Sequence, residues 1–172
     1  MGMKREIELK FFVDDLAPIR RALLQVGAVK SWAGVEKDLF FDTKPGTFKK
    51  TRQTLRIRDA GGKTLLTYKE HKSEKGAKIC DEYQLEIKDA KEVTRIFERL
   101  GFRIEGKYIK PKREYWDLPK VAITLDEYPF GKFIEIEASE KKIKETAKKL
   151  NLDFSRTSTK SYRQLLEEHK NS

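Results

Sequence analysis

Glu6-Ile7-Glu8-Leu9-Lys10-Phe11-Phe12-Val13 places apolar residues at every second position for most of its length, the period of a β-strand. Ile7, Leu9, Phe11 and Val13 take one face, and Glu6, Glu8 and Lys10 take the other. The strand, residues 5–13, leads into a helical pattern over 16–26 that stops at Gly27. The same order returns twice. A strand at 82–88, with Asp89 as a cap, precedes a helix at 91–100 and Gly101, and a strand at 133–138, with Ser139 as a cap, precedes a helix at 140–150 and Asn151. Val93, Ile96, Phe97 and Leu100 illustrate the helical spacing. The repetition points to an internally pseudo-symmetric domain.

Further strands are expected at 38–42, 54–59, 64–69, 108–116 and 121–127, with Pro111 marking an edge or a bulge. Gly61-Gly62 reads as a hairpin turn between two of them, and a last helix at 160–170 follows the cap candidates Ser158 and Thr159. No low-complexity segment divides the chain. The expectation is one α+β domain over residues 1–172, with about eight strands and four helices.

The charges are sorted by strand. Acidic pairs stand at 6/8, 82/86 and 135/137, a basic pair stands at 56/58, and Thr124 and Asp126 oppose Ile123 and Leu125. An open sheet with one wet face accounts for any single strand of this kind. Segregation of acids and bases across five strands favours a sheet closed on itself, with its charged face inward. Such a lumen is unstable when empty, because like charges repel and desolvation is costly; divalent cations beside the carboxylates and a polyanion beside the cations offset that cost. Carboxylates at i and i+2 lie roughly 6–7 Å apart at the backbone, close enough to converge on one hard cation. Arg56 and Arg58 carry planar forks suited to bidentate phosphate contact. A metal with a cationic clamp is the apparatus of phosphoryl and nucleotidyl transfer.

Lys and Arg number 38 against 28 Asp and Glu, a net charge of +10. Nucleic acid, an anionic membrane, a concentrated anionic ligand or simply a Lys/Glu-rich surface would each account for that excess. A nucleic-acid module needs its cations on an outer face with exposed aromatics, whereas Arg56 and Arg58 share a face with carboxylates, so nucleic acid is disfavoured as a partner. Cys80 is the single cysteine, and His71 and His169 are too far apart for a zinc site. No apolar signal region opens the sequence and no run approaches the ~18 apolar residues of a membrane span, so a soluble, cytoplasmic protein with no membrane partner is expected. Oligomeric state, a homodimer included, is left open.

From Glu6 to about Leu166, the chain resembles the CYTH superfamily, the adenylyl cyclase and thiamine triphosphatase group also called triphosphate tunnel metalloenzymes. The resemblance rests on Glu6-x-Glu8-x-Lys10, Asp38-Leu39-Phe40-Phe41, Leu55-Arg56-Ile57-Arg58 and Leu66-Thr67-Tyr68-Lys69. It continues through Glu82-x-x-x-Glu86, Lys112-Arg113-Glu114-Tyr115, Leu125-Asp126-Glu127, Gly131-x-Phe133-Ile134-Glu135-Ile136-Glu137 and Ser161-Tyr162. It implies an eight-stranded antiparallel β-barrel, the triphosphate tunnel. Glu6, Glu8, Asp126, Glu135 and Glu137 would hold Mg²⁺ or Mn²⁺. Lys10, Arg56, Arg58, Lys69 and Arg113 would grip phosphate, together with Lys110, although the stretch 110–113 offers several registers. Glu82, Glu86 and Lys69 are the catalytic candidates; the two glutamates could bind metal, orient water or serve as general base.

Two reactions on a small triphosphate substrate fit. A class IV adenylyl cyclase converts ATP to cyclic AMP and pyrophosphate; a triphosphatase hydrolyses tripolyphosphate, thiamine triphosphate or a nucleoside triphosphate. The chain's length and the stretch from Leu125 to Glu137 are most similar to the cyclase branch. A non-catalytic polyphosphate binder is a third reading. Asp38 and Tyr162 are read first as hydrogen-bonding or packing residues and Phe133 as a wall or plug. Trp32 and Trp116 are read as rim or core residues before base-stacking ones, and 141–149 as a solvated helix face.

Overall fold

The computed structural model describes residues 3–73 and 76–170; residues 1, 2, 74, 75, 171 and 172 of the domain expected over 1–172 lie outside the described residues. The opening strand is β1, Lys4–Val13, followed by helix α1, Ala17–Gln25. Then come β2 Val29–Thr43, a single helical turn α2 Thr47–Lys50, and the strands β3 Gln53–Ala60, β4 Lys63–Ser73 and β5 Lys78–Glu86. After α3, Ala90–Arg99, the chain forms β6 Phe102–Leu118, β7 Val121–Tyr128 and β8 Gly131–Glu137. Helix α4 Glu140–Lys149, a two-residue strand β9 Thr157–Ser158 and helix α5 Tyr162–Lys170 complete it.

The strands run in the order β5-β4-β3-β2-β6-β7-β8-β1, and β1 pairs again with β5, closing an eight-stranded antiparallel barrel. Closure removes every free strand edge but leaves an interior that must be filled or hydrated. β9 is an extra strand lying against Lys10 and Phe11 of β1. The α+β barrel read from the sequence is thus the fold observed.

The apolar faces of the strands point outward, and the helices cover them. Leu9, Phe11, Ile123, Leu125, Ile134 and Ile136 pack with Ile19 and Leu23 of α1 and with Ile143 and Ala147 of α4. A second cluster joins Phe41, Leu55 and Ile57 to Phe48 of α2 and to Val93 and Phe97 of α3. The three strand-then-helix units are therefore real structural units (β1–α1, β5–α3 and β8–α4). Asp89 caps α3 by accepting from the Glu92 N–H at 2.9 Å, whereas Ser139 makes no side-chain cap bond to α4.

The elements differ from expectation where strand pairing overrides local pattern. β2 begins at Val29 rather than 38, β5 at Lys78 rather than 82, and β6 at Phe102 rather than 108. β2 and β6 pair from Val29↔Asp117 to Thr43↔Phe102, and this ladder sustains stretches with little apolar alternation. Pro111 sits in a bulge: between Gly34↔Arg113 and Glu36↔Lys110, β6 advances three residues while β2 advances two. Helix α2, absent from the expectation, is one turn entered through Gly46 in the left-handed region, with the Asp42 carboxylate accepting from the Phe48 and Lys49 N–H groups.

Leu23 is fully buried between α1 and the barrel. Leu23→Ala is expected to lower unfolding free energy by about 2–5 kcal/mol. In urea titration the midpoint should fall with the m-value unchanged; an unshifted midpoint would show that α1 does not stabilise the barrel.

Candidate active site in the barrel lumen

Five oppositely charged pairs face one another in strict register around the lumen. Lys10 opposes Glu135, Arg113 opposes Asp126, Asp38 opposes Arg58, Lys69 opposes Glu82 and Glu8 opposes Lys78. Directly opposed residues have their Cβ atoms about 5 Å apart, so each pair meets without reaching.

Two linked networks result. In the first, the Lys69 ammonium donates to both carboxylate oxygens of Glu6, at 2.7 and 2.5 Å, and pairs with Glu82 at 2.8 Å; Lys78 donates to Glu8 at 2.6 Å. The second is centred on Glu36, which is wholly buried and holds Arg58 at 2.9 Å, Arg113 at 3.3 Å, Lys110 and the Tyr115 hydroxyl. Arg58 also grips Asp38 with two bonds, at 2.7 and 2.9 Å. Arg113 reaches Glu135 at 2.9 Å, and Glu135 accepts from Lys10 at 2.7 Å. The Tyr162 hydroxyl of α5 donates to Asp126 at 2.6 Å, and its ring lies 4.2 Å from the Lys10 ammonium.

Tyr162 also touches Phe133 and Tyr128, so this aromatic group with Phe130 ties α5 to the β7–β8 end of the barrel, where Tyr162 lines the cavity. A cavity of about 700 Å³ runs past Arg56, Arg58, Lys69, Lys110 and Arg113, and past Glu6, Glu8, Glu82, Glu135 and Glu137. Lys10 and Asp126 are buried just behind that lining. Glu86 is different: it lies exposed, opposite Leu65 near the strand's end and off the cavity, so it is not brought together with Glu82. The bulge at Pro111 turns Lys110 inward beside Arg113 and leaves Lys112 outside, paired with Glu127. Glu36 and Lys78, both charged groups of the lumen, escaped the sequence reading; Asp38, read as a hydrogen-bonding or packing residue, accepts two hydrogen bonds from Arg58 there. Extending the parity of Asp38 and Glu82 backward along their strands finds the first two.

Burial opposes charge on every one of these carboxylates, and the neighbouring cations decide the outcome. Lys78 holds Glu8 down to about 2, Arg113 with Lys110 and Arg58 does the same for Glu36, and Lys10 does so for Glu135. Glu6 and Glu82 are lowered by Lys69. Burial wins at Glu137, helped by repulsion from Glu6, and at Asp126; both are raised from the ordinary carboxylate value. Burial and the adjacent Arg113 and Arg58 bring Lys110 down to about 8.

Among the described residues no three acidic side chains converge as a ready-made metal cage. The reason is the pairing itself, since Glu6, Glu8, Glu135 and Glu137 each hold a lysine. The donor chemistry nevertheless suits a hard divalent cation. Glu8 faces Glu137 directly across β1 and β8, the charge on Glu137 is disfavoured, and the buried Oδ1 of Asp126 has no hydrogen-bond partner among the described residues.

The depressed carboxylates set an acid limit. Glu8, Glu36 and Glu135 fall from an ordinary 4.5 to about 2 in the folded chain. Between those values the unfolded chain binds more protons, so stability falls as pH drops through that window. Thermal unfolding should show a steep loss of melting temperature from pH 5 to pH 2; a flat profile would contradict the ion-pair network.

A family model described as CYTH domain matches residues 4–163. The chain is 31% identical over 146 residues to "Putative adenylate cyclase MJ0240" of Methanocaldococcus jannaschii, covering 84% of this chain and 83% of that one. The structure of the PH1819 protein from Pyrococcus horikoshii OT3 superposes with TM-score 0.78 at 29% identity, covering 95% of this chain and 99% of that one. The PH1012 protein of the same organism gives 0.77 at 28% identity, with 91% and 96% covered. A closed barrel with paired charges turned inward, matched by that model over nearly its whole length, identifies this chain as a member of the CYTH domain family.

Proposed function

We propose that the lumen binds a linear triphosphate together with Mg²⁺ or Mn²⁺, and that the chain converts ATP to cyclic AMP and pyrophosphate as a class IV adenylyl cyclase does. The observation that carries this reading is the set of cations around one cavity: Arg56, Arg58, Lys69, Lys110 and Arg113 line it, with Lys10 behind them. Most are hydrogen-bonded to carboxylates, but Arg56 has only a long ion pair. Its guanidinium lies 3.9 Å from Asp38, and its buried Nε has no hydrogen-bond partner among the described residues. A buried donor left this way is unfavourable, and a phosphate oxygen satisfies it. The name of the Methanocaldococcus jannaschii relative agrees with the cyclase reading.

Glu6, Glu8 and Glu137, with Asp126 and Glu135, would hold the metal, whose positive charge would neutralise phosphate oxygens and make the phosphorus more electrophilic. In cyclisation the ATP 3′-oxygen bonds to the α-phosphorus as the bond to the bridging oxygen of pyrophosphate breaks. Arg56, Arg58 and Arg113 stabilise the charge that collects on the leaving group. Glu82 is proposed to receive the 3′-hydroxyl proton: it lines the cavity, and Lys69 keeps it ionised against burial. The same property favours a second reading. An ionised Glu82 beside the lumen can take a proton from water, and attack of that water on the terminal phosphorus makes a triphosphatase.

The deciding experiment incubates the protein with ATP, tripolyphosphate or thiamine triphosphate and either metal, and resolves the products. Cyclic AMP with pyrophosphate supports the cyclase, phosphate release supports the triphosphatase, and binding without turnover sinks the enzyme reading. Arg56→Ala is expected to raise KM about tenfold or more, the loss of one charge-assisted contact. Unchanged KM and kcat would remove Arg56 from the grip. Glu137→Gln is expected to abolish metal-dependent turnover without lowering the melting temperature, because it removes a charge that burial and Glu6 disfavour. Loss of the fold instead would make Glu137 a structural residue.

A further inference from the structure

Trp32 takes no part in the phosphate grip, yet it lines the same cavity. It lies on β2 four residues before Glu36, near the β6–β7 turn, at the opposite end of the barrel from the β7–β8 turn that Tyr162 packs beside. Its indole rests on bare backbone. A Cβ added at Gly34 would come within 2.8 Å of the ring, and one added at Gly61 would come within 2.9 Å. Gly61 also has φ of +61°, in the left-handed region, so glycine is required there twice over.

The ring neighbours Tyr115 at 5.5 Å between centroids, and the Tyr115 hydroxyl donates to Glu36, the carboxylate that gathers Arg58, Lys110 and Arg113. Trp116 offers no such surface: it is 3% exposed, donates its N–H to Glu114 and belongs to the outer core. Nor does the aromatic pair at the other mouth. Tyr108 is met edge-on by Phe40 and lies under the Arg163 guanidinium.

A half-buried indole one ring away from the phosphate cations, on the wall of a continuous cavity, is suited to stack a planar group. We infer that Trp32 is the platform for a flat aromatic group esterified to the triphosphate, which makes the substrate a nucleoside triphosphate, or an ester like it, rather than inorganic tripolyphosphate. This rests on the triphosphate reading above and names the residue that selects the organic end of the substrate. Trp32 acts as a specificity residue: it recognises the organic end, and the cations recognise the phosphates.

Affinities for α,β-methylene-ATP and for tripolyphosphate, each with Mg²⁺, test the assignment by calorimetry on the wild type, Trp32→Ala, Trp32→Phe and Tyr108→Ala. Trp32→Ala should weaken the nucleotide analogue about tenfold, the loss of one stacking contact, and leave tripolyphosphate within about twofold. Trp32→Phe, which keeps a ring and guards against failure of the alanine variant to fold, should retain most of the nucleotide affinity. Equal weakening of both ligands would make Trp32 a wall residue. An unchanged nucleotide affinity, or a selective loss in Tyr108→Ala instead, would also overturn the platform. If the wild type binds neither ligand, the triphosphate reading itself fails, a result distinct from any of these.

Discussion

A charge enclosed by a closed barrel loses its water, and the attraction of a partner recovers that loss only when the geometry is close and the remaining hydrogen bonds are filled. In this chain the condition is met by register: five acid–base pairs stand directly across adjacent strands. Glu36 shows how far the arrangement depends on it. With no exposure to solvent it holds two arginines, a lysine and a tyrosine, so removing it would leave several buried cations short of a counter-charge at once. A lumen built this way is nearly self-neutral, and the exceptions define where a ligand belongs: Arg56 is short of an acceptor, and Asp126 and Glu137 titrate high.

The same inversion explains the helices. Because the polar face of every strand is spent on the lumen, the apolar face points outward and has to be covered from outside. α1 and α4 cover the β1–β7–β8 side, and α2 and α3 cover β2 and β3. A chain with as many charged as hydrophobic residues, 38% of each, can therefore bury two cores.

Face parity is what made the fold legible. Glu6/Glu8, Arg56/Arg58 and Glu135/Glu137 declare their strands because each alternates with residues such as Leu9, Ile57 and Ile136 that pack against helices or outer clusters. Glu36 was hidden because the stretch before Asp38 holds Ser31, Ala33 and Gly34, which carry no alternation; β2 persists there through its ladder to β6. Lys78 was missed for a similar reason, lying before the point where β5 becomes recognisably amphipathic. Lys110 and Arg113 are three apart, a spacing that places two side chains on opposite faces of a regular strand. Only the bulge at Pro111 reconciles them; the proline marked an edge or a bulge, but not which neighbouring lysine the extra residue would turn inward. Glu86 failed in the other direction: its parity is right, but near its strand's end it lies beyond the lumen.

β1 pairs with β8, β5 and β9, all later in the chain, while no strand follows it as an immediate hairpin partner. During synthesis β1 therefore precedes all its partners: Glu6 and Glu8 gain Lys69 and Lys78 only after β4 and β5 are made, and Lys10 gains Glu135 later still. Closure joins segments more than a hundred residues apart, as Glu8 and Glu137 are, and contacts of such long range slow folding. The step that seals the barrel is also the step that dehydrates its charges, so the transition to the native state combines loop closure with the assembly of every ion pair on β1.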